Sequence, residues 1–119
     1  MLATRSGRRP YIPERGDVVW LTFDPQAGHE QAGRRPAVVL SPSRYNDRSG
    51  LALIVPITTH VKGYPFEVAL PAGLRLTGAV LADHLKSLDW HARKAEYLGK
   101  LPEAILAEII RRASLLLTG

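Results

Sequence analysis

The sequence predicts a mainly β domain ending in one α-helix, with its strands curled into a small barrel. Three observations predict it. Short β-branched apolar runs recur through the middle of the chain, clusters of Gly, Pro, Asn, Asp and Ser separate them, and helical periodicity is clear only at the C-terminus. Several runs are apolar at every position, as strands covered on both faces are.

In order, VVWLTF (18–23), AVVL (37–40), LALIV (51–55), FEVAL (66–70) and GAVLA (78–82) are the strand candidates, and KSLDW (86–90) and EYLGK (96–100) add shorter ones. DPQAG, SRYNDRSG, KGYP and PAG read as the turns between them. PEAILAEIIRRASLLL reads as the helix: Pro102 suits the first helical position and Glu103 the positive end of the dipole. Ile105, Leu106, Ile109, Ala113, Leu116 and Leu117 recur at helical spacing, with Arg111 and Arg112 late in the helix. Residues 1–10, carrying Arg5, Arg8 and Arg9, read as a flexible basic tail ahead of a single domain over 11–119.

A chain of 119 residues is long enough to bury roughly two-thirds of its unfolded surface in one core. With no cysteine it builds neither disulfides nor thiolate zinc sites, which is compatible with the expected cytoplasmic location. The basic N-terminus has no apolar stretch of a secretory signal behind it, and no run approaches a membrane span, so no membrane partner is expected. The net charge of +5 and a pI near 10.0 favour anionic partners such as nucleic acid.

The densest chemistry lies in GHEQAGRRP (28–36), between two apolar runs. His29-Glu30 begins like the zinc motif HExxH, but Gly33 stands where the second histidine belongs, and no metal or cofactor is expected. What remains is a carboxylate, an imidazole and guanidinium groups in a basic protein. RNA cleavage by the ribose 2′-OH needs a base, a fixed cation for the phosphoryl oxygens, and a proton for the leaving 5′-oxygen. Glu30 or His29 can act as base, and Arg35 can hold a phosphate through two hydrogen bonds. A Glu and an Arg on one loop are more often a surface ion pair than a catalytic pair, and sequence chemistry alone leaves both open.

A second cluster, ITTHVKGYPF (57–66), ends an apolar strand with Thr58 and Thr59 and follows it with Lys62, Tyr64 and Phe66. The threonine hydroxyls can bond a phosphate or neighbouring backbone, and a cation beside aromatics suits stacking of single-stranded bases. Phe66, inside a strand pattern, reads as core. Asp83-His84 forms a third spot whose default meaning is a structural hydrogen bond.

RGDVVW (15–20), FDPQAGHEQAGRRPAVVLSPSRYN (23–46), VPITTHVKGYPFEV (55–68) and GAVLADHLKSLDW (78–90) together resemble the MazF/PemK toxins of bacterial toxin–antitoxin pairs, the chromosomal MazF branch above all. The resemblance implies a small SH3-like or CcdB-like β-barrel, a homodimer, and a metal-independent, sequence-specific endoribonuclease. Such an enzyme cuts single-stranded RNA, mRNA and rRNA among its candidate targets, leaving a 2′,3′-cyclic phosphate and a 5′-OH. It implies catalytic roles for Glu30, Arg35 and Thr58. His29, Gln31, Thr59 and Asp83 are further catalytic or RNA-binding candidates, and Arg34, Lys62, Tyr64 and Lys86 are RNA-binding ones. One departure concerns Asp83: the arginine of the PemK branch's Arg-x-Asp unit aligns with Leu81, so Asp83 stands without it. The resemblance further implies a MazE-like antitoxin whose acidic, disordered C-terminal segment covers the RNA groove. A non-catalytic RNA-binding module and a CcdB-like gyrase poison are the rival readings.

Overall fold

The computed structural model describes residues 10–23 and 33–119. Seven strands form one antiparallel sheet: β1 (Asp17–Thr22), β2 (Arg34–Val39), β3 (Leu51–Thr58), β4 (Glu67–Ala69), β5 (Ala79–Leu81), β6 (Lys86–Asp89) and β7 (Glu96–Lys100). A short helix α1 (Ser43–Ser49) precedes β3, and the long helix α2 (Glu103–Thr118) ends the chain. The expected basic tail over residues 1–10 falls almost wholly outside the described residues, as do His29, Glu30 and Gln31 of the expected site.

The strand order is β4-β5-β3-β2-β1-β7, with β6 paired to β3 off this path. β3 is the hub. One edge meets β2 from Ile54 to Pro56, and the other meets β6 from Leu51 to Ile54 and then β5 at Ile57 and Thr58. Leu53 turns its carbonyl toward β2, accepting the amide of Leu40 at 2.8 Å, so the even-numbered residues turn their polar groups to the other edge. Pro56 therefore lacks its N–H at the gap between β6 and β5, where no ladder bond is forfeited. Among the described strands no ladder joins β4 to β7, so the sheet curls without closing into the expected barrel.

Alternation along the strands sorts the core into two clusters. Val18, Val38, Val55, Ile57, Val80 and Ile109 belong to one, so α2 covers that face of the sheet. Val19, Leu21, Ala37, Val39, Ala52 and Ile54 belong to the other, flanked by Tyr11, Phe23, Leu88 and Trp90. Each fully buried aliphatic side chain of this kind contributes about 1.5–3 kcal/mol.

Three expectations change here. SRYNDRSG, read as a turn, contains α1, because Asn46 is fully buried and binds outward in three directions. Its Nδ2 donates to the carbonyls of Pro13 (2.8 Å) and Ser41 (3.0 Å), Oδ1 accepts from the Ser41 hydroxyl, and its carbonyl accepts Trp90 Nε1–H (2.9 Å). The helix ends at Gly50, whose φ of 77° is the left-handed conformation glycine adopts freely. In α2, Pro102 is the extended N-cap rather than the first helical residue. Arg112 lies mid-helix and ties α2 to the β3–β4 loop.

At the start of β1, buried Asp17 gathers Tyr11 Oη–H, the Glu14 amide (3.0 Å) and the Lys100 ammonium (2.7 Å). Burial and the adjacent Asp17 carboxylate push the Tyr11 phenol well above its ordinary pKa. Burial alone would lower the Lys100 pKa, but Asp17 and Glu14 outweigh it and hold the ammonium charged.

Candidate RNA-cleavage face

Strand β2 begins earlier than the apolar pattern suggests, at Arg34, so both arginines stand on a strand rather than in a loop. That changes their meaning, because neighbours on a strand point to opposite faces. Arg34 pairs with Thr22 and Arg35 with Leu21 in the β1–β2 register. The Arg34 guanidinium donates to Thr22 Oγ1 (2.9 Å), to the carbonyls of Lys94 (2.6 Å), Arg93 and Trp20 (3.4 Å each), and to Glu96 Oε1 (3.2 Å). It is a staple between β1, β2 and the turn before β7. Arg35 is exposed and makes no hydrogen bond or ion pair to any described residue.

The β2–β3 pairing runs Val39↔Ile54, Val38↔Val55 and Ala37↔Pro56, then stops. Two further steps of the same register would set Arg35 across from Thr58, and strand alternation puts both on the face carrying Ala37, Val39 and Ile54. The strands no longer bond here, so solvent reaches both residues. The Thr58 hydroxyl accepts the His60 amide at 3.0 Å, which leaves its O–H free to donate outward. Thr59, next along the chain, is exposed.

Thr58 owes its backbone position to Gly78, whose φ is 121°. Gly78 lies against the Thr58 carbonyl so closely that any side chain there would overlap it. No motif flags this residue; only the packing of β5 on β3 gives it a role.

Lys86 lies opposite Ile54 on the same face, its Nζ 5.7 Å from the Phe23 ring centroid. Four residues of strand separate Ile54 from Thr58, roughly 13 Å. Lys86 and Thr58 thus lie well apart along the same face. Lys62 and Tyr64 sit in the β3–β4 loop with Lys62 Nζ 5.9 Å from the Tyr64 ring centroid, an exposed cation–aromatic pair. Phe66, expected in the core, is partly buried beside them. Asp83 lies in the turn beyond β5, and its one ion-pair partner among the described residues is His84, Oδ1 to Nε2 at 3.7 Å.

The fold thus brings Arg35, Thr58 and Lys86 to one face and turns Arg34 away, while Lys62 and Tyr64 follow Thr58 along the chain in the β3–β4 loop. The segment bearing His29, Glu30 and Gln31 joins β1 to β2, entering at Phe23 and leaving at Gly33. Among the described residues no cluster of His, Asp and Glu is arranged to hold a metal. A cavity of about 240 Å³ beside Val18, Ile57, Leu70 and Leu98 belongs to the opposite, helix-covered side and holds none of these residues.

Residues 14–117 match the family described as PemK-like, MazF-like toxin of type II toxin–antitoxin system. The chain is 53% identical over 96 residues to the endoribonuclease toxin MazF of Escherichia coli K12, covering 80% of this chain and 86% of that one. It is 36% identical over 115 residues to the Escherichia coli endoribonuclease PemK, covering 93% and 86%. A MazE–MazF crystal structure from Deinococcus radiodurans superposes with a TM-score of 0.87 at 55% identity, covering 92% of this chain and 98% of that one.

Proposed function

This chain belongs to the PemK-like, MazF-like toxins of type II toxin–antitoxin systems, and on that footing we propose that it is an endoribonuclease whose active face is built on Arg35 and Thr58. The observation that carries the reading is the contrast between two adjacent arginines. Arg34 has its donors committed to the fold, whereas Arg35 presents a planar, permanently charged fork to solvent across from a threonine hydroxyl.

A phosphodiester held on this face is attacked by its own ribose. A base removes the 2′-OH proton, the 2′-oxygen bonds to phosphorus, and the bond from phosphorus to the 5′-oxygen breaks. The 5′-oxygen takes up a proton, leaving a 2′,3′-cyclic phosphate and a 5′-OH. Charge grows on the non-bridging oxygens meanwhile, and there the Arg35 guanidinium and the Thr58 O–H donate. Arginine stays protonated, so its role is electrostatic. Glu30 is assigned as base, with His29 the alternative, on their sequence position alone.

Lys86, Lys62 and Tyr64 extend the face for flanking nucleotides of a single strand. The chain works as a cytoplasmic homodimer held in check by a MazE-like antitoxin. An acidic segment of that antitoxin lies where RNA phosphates would, since carboxylates fit donors arranged for phosphate. The support is the likeness to MazE–MazF complexes and the net charge of +5.

The test is incubation with a long single-stranded RNA in EDTA, with fragment ends mapped. Discrete cuts ending in cyclic phosphate, lost in Arg35→Ala, are expected. Intact RNA that the protein demonstrably binds would replace the enzyme with a binding module.

A further inference from the structure

We propose that Glu67 and Arg112 are positioning residues that hold the loop bearing Lys62 and Tyr64 as a preformed platform for an RNA base beside the cut, a role resting on the ribonuclease reading above. The loop between β3 and β4 leaves Val61 56% and Tyr64 60% exposed, so core burial does not fix its shape. Charged groups fix it instead. The two Glu67 carboxylate oxygens each accept the Lys62 amide at 3.1 Å, and Oε1 also accepts the Gly63 amide at 2.8 Å. From α2, Arg112 Nη1 donates to the carbonyls of Pro65 (2.6 Å) and Glu67 (3.0 Å). The Glu67 amide closes the turn on the Tyr64 carbonyl at 3.0 Å.

An anion thus holds the amides of the loop and a cation holds its carbonyls. Gly63 makes the bend possible, with φ at 82°. The strand end feeding the loop is tied by the Thr58 hydroxyl to the His60 amide, so catalytic hydroxyl and platform share one short segment. Ordering an exposed backbone costs conformational entropy. Here it adds no core burial. It provides pre-organisation: with Tyr64 and Lys62 already placed, a base stacks without first ordering the loop.

Hydrogen exchange of the free protein reads the clamp, and RNA kinetics read its consequence. In Glu67→Ala, the Lys62 and Gly63 amides are expected to exchange at least roughly tenfold faster while Val38 and Val55 keep their protection. The same variant should weaken binding of a 2′-deoxy-blocked oligonucleotide and raise KM, each roughly five- to tenfold, with kcat within about twofold. Glu67→Gln keeps an acceptor oxygen and should restore part of both, and Arg112→Met should repeat the KM effect. Unchanged exchange at Lys62 and Gly63 overturns the clamp. Faster exchange with unaltered KM and binding overturns the platform role, leaving the ribonuclease reading intact. A wild-type protein that neither binds nor cuts RNA overturns that reading and the platform role with it.

Discussion

An ideal Cβ placed on Gly78 falls 2.0 Å from the carbonyl oxygen of Thr58. Backbone atoms cannot give way as a flexible side chain can, and φ at 121° is itself unfavourable for an L-residue. Gly78→Ala is expected to destabilise the fold by about 2–4 kcal/mol. Any folded fraction should cleave RNA poorly, because Thr58 is the atom group displaced. Denaturant unfolding alongside cleavage at low temperature separates the two effects, and a stable, fully active variant would remove Gly78 as Thr58's support.

The neighbouring arginines should divide stability from activity. Arg34→Ala removes the guanidinium that joins β1, β2 and the turn before β7, and should lower stability by about 1–3 kcal/mol with modest change in turnover. Arg35→Ala should shift stability by less than about 0.5 kcal/mol and lower cleavage by roughly 10²–10³-fold. Melting and single-turnover cleavage of both proteins decide it; equal losses of activity would put both arginines on the RNA.

Asn46 is fully buried with its amide and carbonyl satisfied by Pro13, Ser41 and Trp90. Asn46→Ala leaves the carbonyls of Pro13 and Ser41 without their donor and the Ser41 hydroxyl without its acceptor, and should cost about 2–4 kcal/mol. Trp90 Nε1–H bonds the backbone carbonyl of residue 46, which alanine keeps, so denaturant unfolding is the readout. Retention of wild-type stability would mean that α1 is held by something else.

Glu108 is held by hydrogen bonds from Arg111 and then Arg112, which pull its pKa from 4.5 to about 2. Its folded value lies below its unfolded one, so the stabilisation is complete above about pH 4.5 and fades as pH falls toward 2. Melting curves of the wild type and Glu108→Gln should be offset near neutral pH and converge in that acid window. A constant offset down to pH 2 would show that the carboxylate's charge is not what matters.

Most of the sheet was legible because β-branched runs bounded by turn residues have few other uses. The runs at VVWLTF, LALIV and EYLGK fall within a few residues of β1, β3 and β7. Helix α1 was not legible: its composition is that of a turn, and its reason to exist is Asn46 reaching Pro13, 33 residues away. The roles of Arg34 and Arg35 were partly legible. Strand alternation separates any such pair, but it applies only once β2 is known to begin at Arg34 rather than after Pro36. Gly78 and Glu67 act through contacts distant in sequence or through backbone amides, which no spacing rule encodes.

Because β3 is bonded along both edges, a partner that adds a strand to this sheet must choose among β4, β6 and β7, each paired on one side only among the described strands. The choice has opposite results. β6 carries Lys86 and runs beside β3, so a chain zippered onto it would lie along the margin of the proposed catalytic face and would compete with substrate there. β7 is separated from β3 by β1 and β2, so a chain zippered there would tether the protein and leave the proposed catalytic face open.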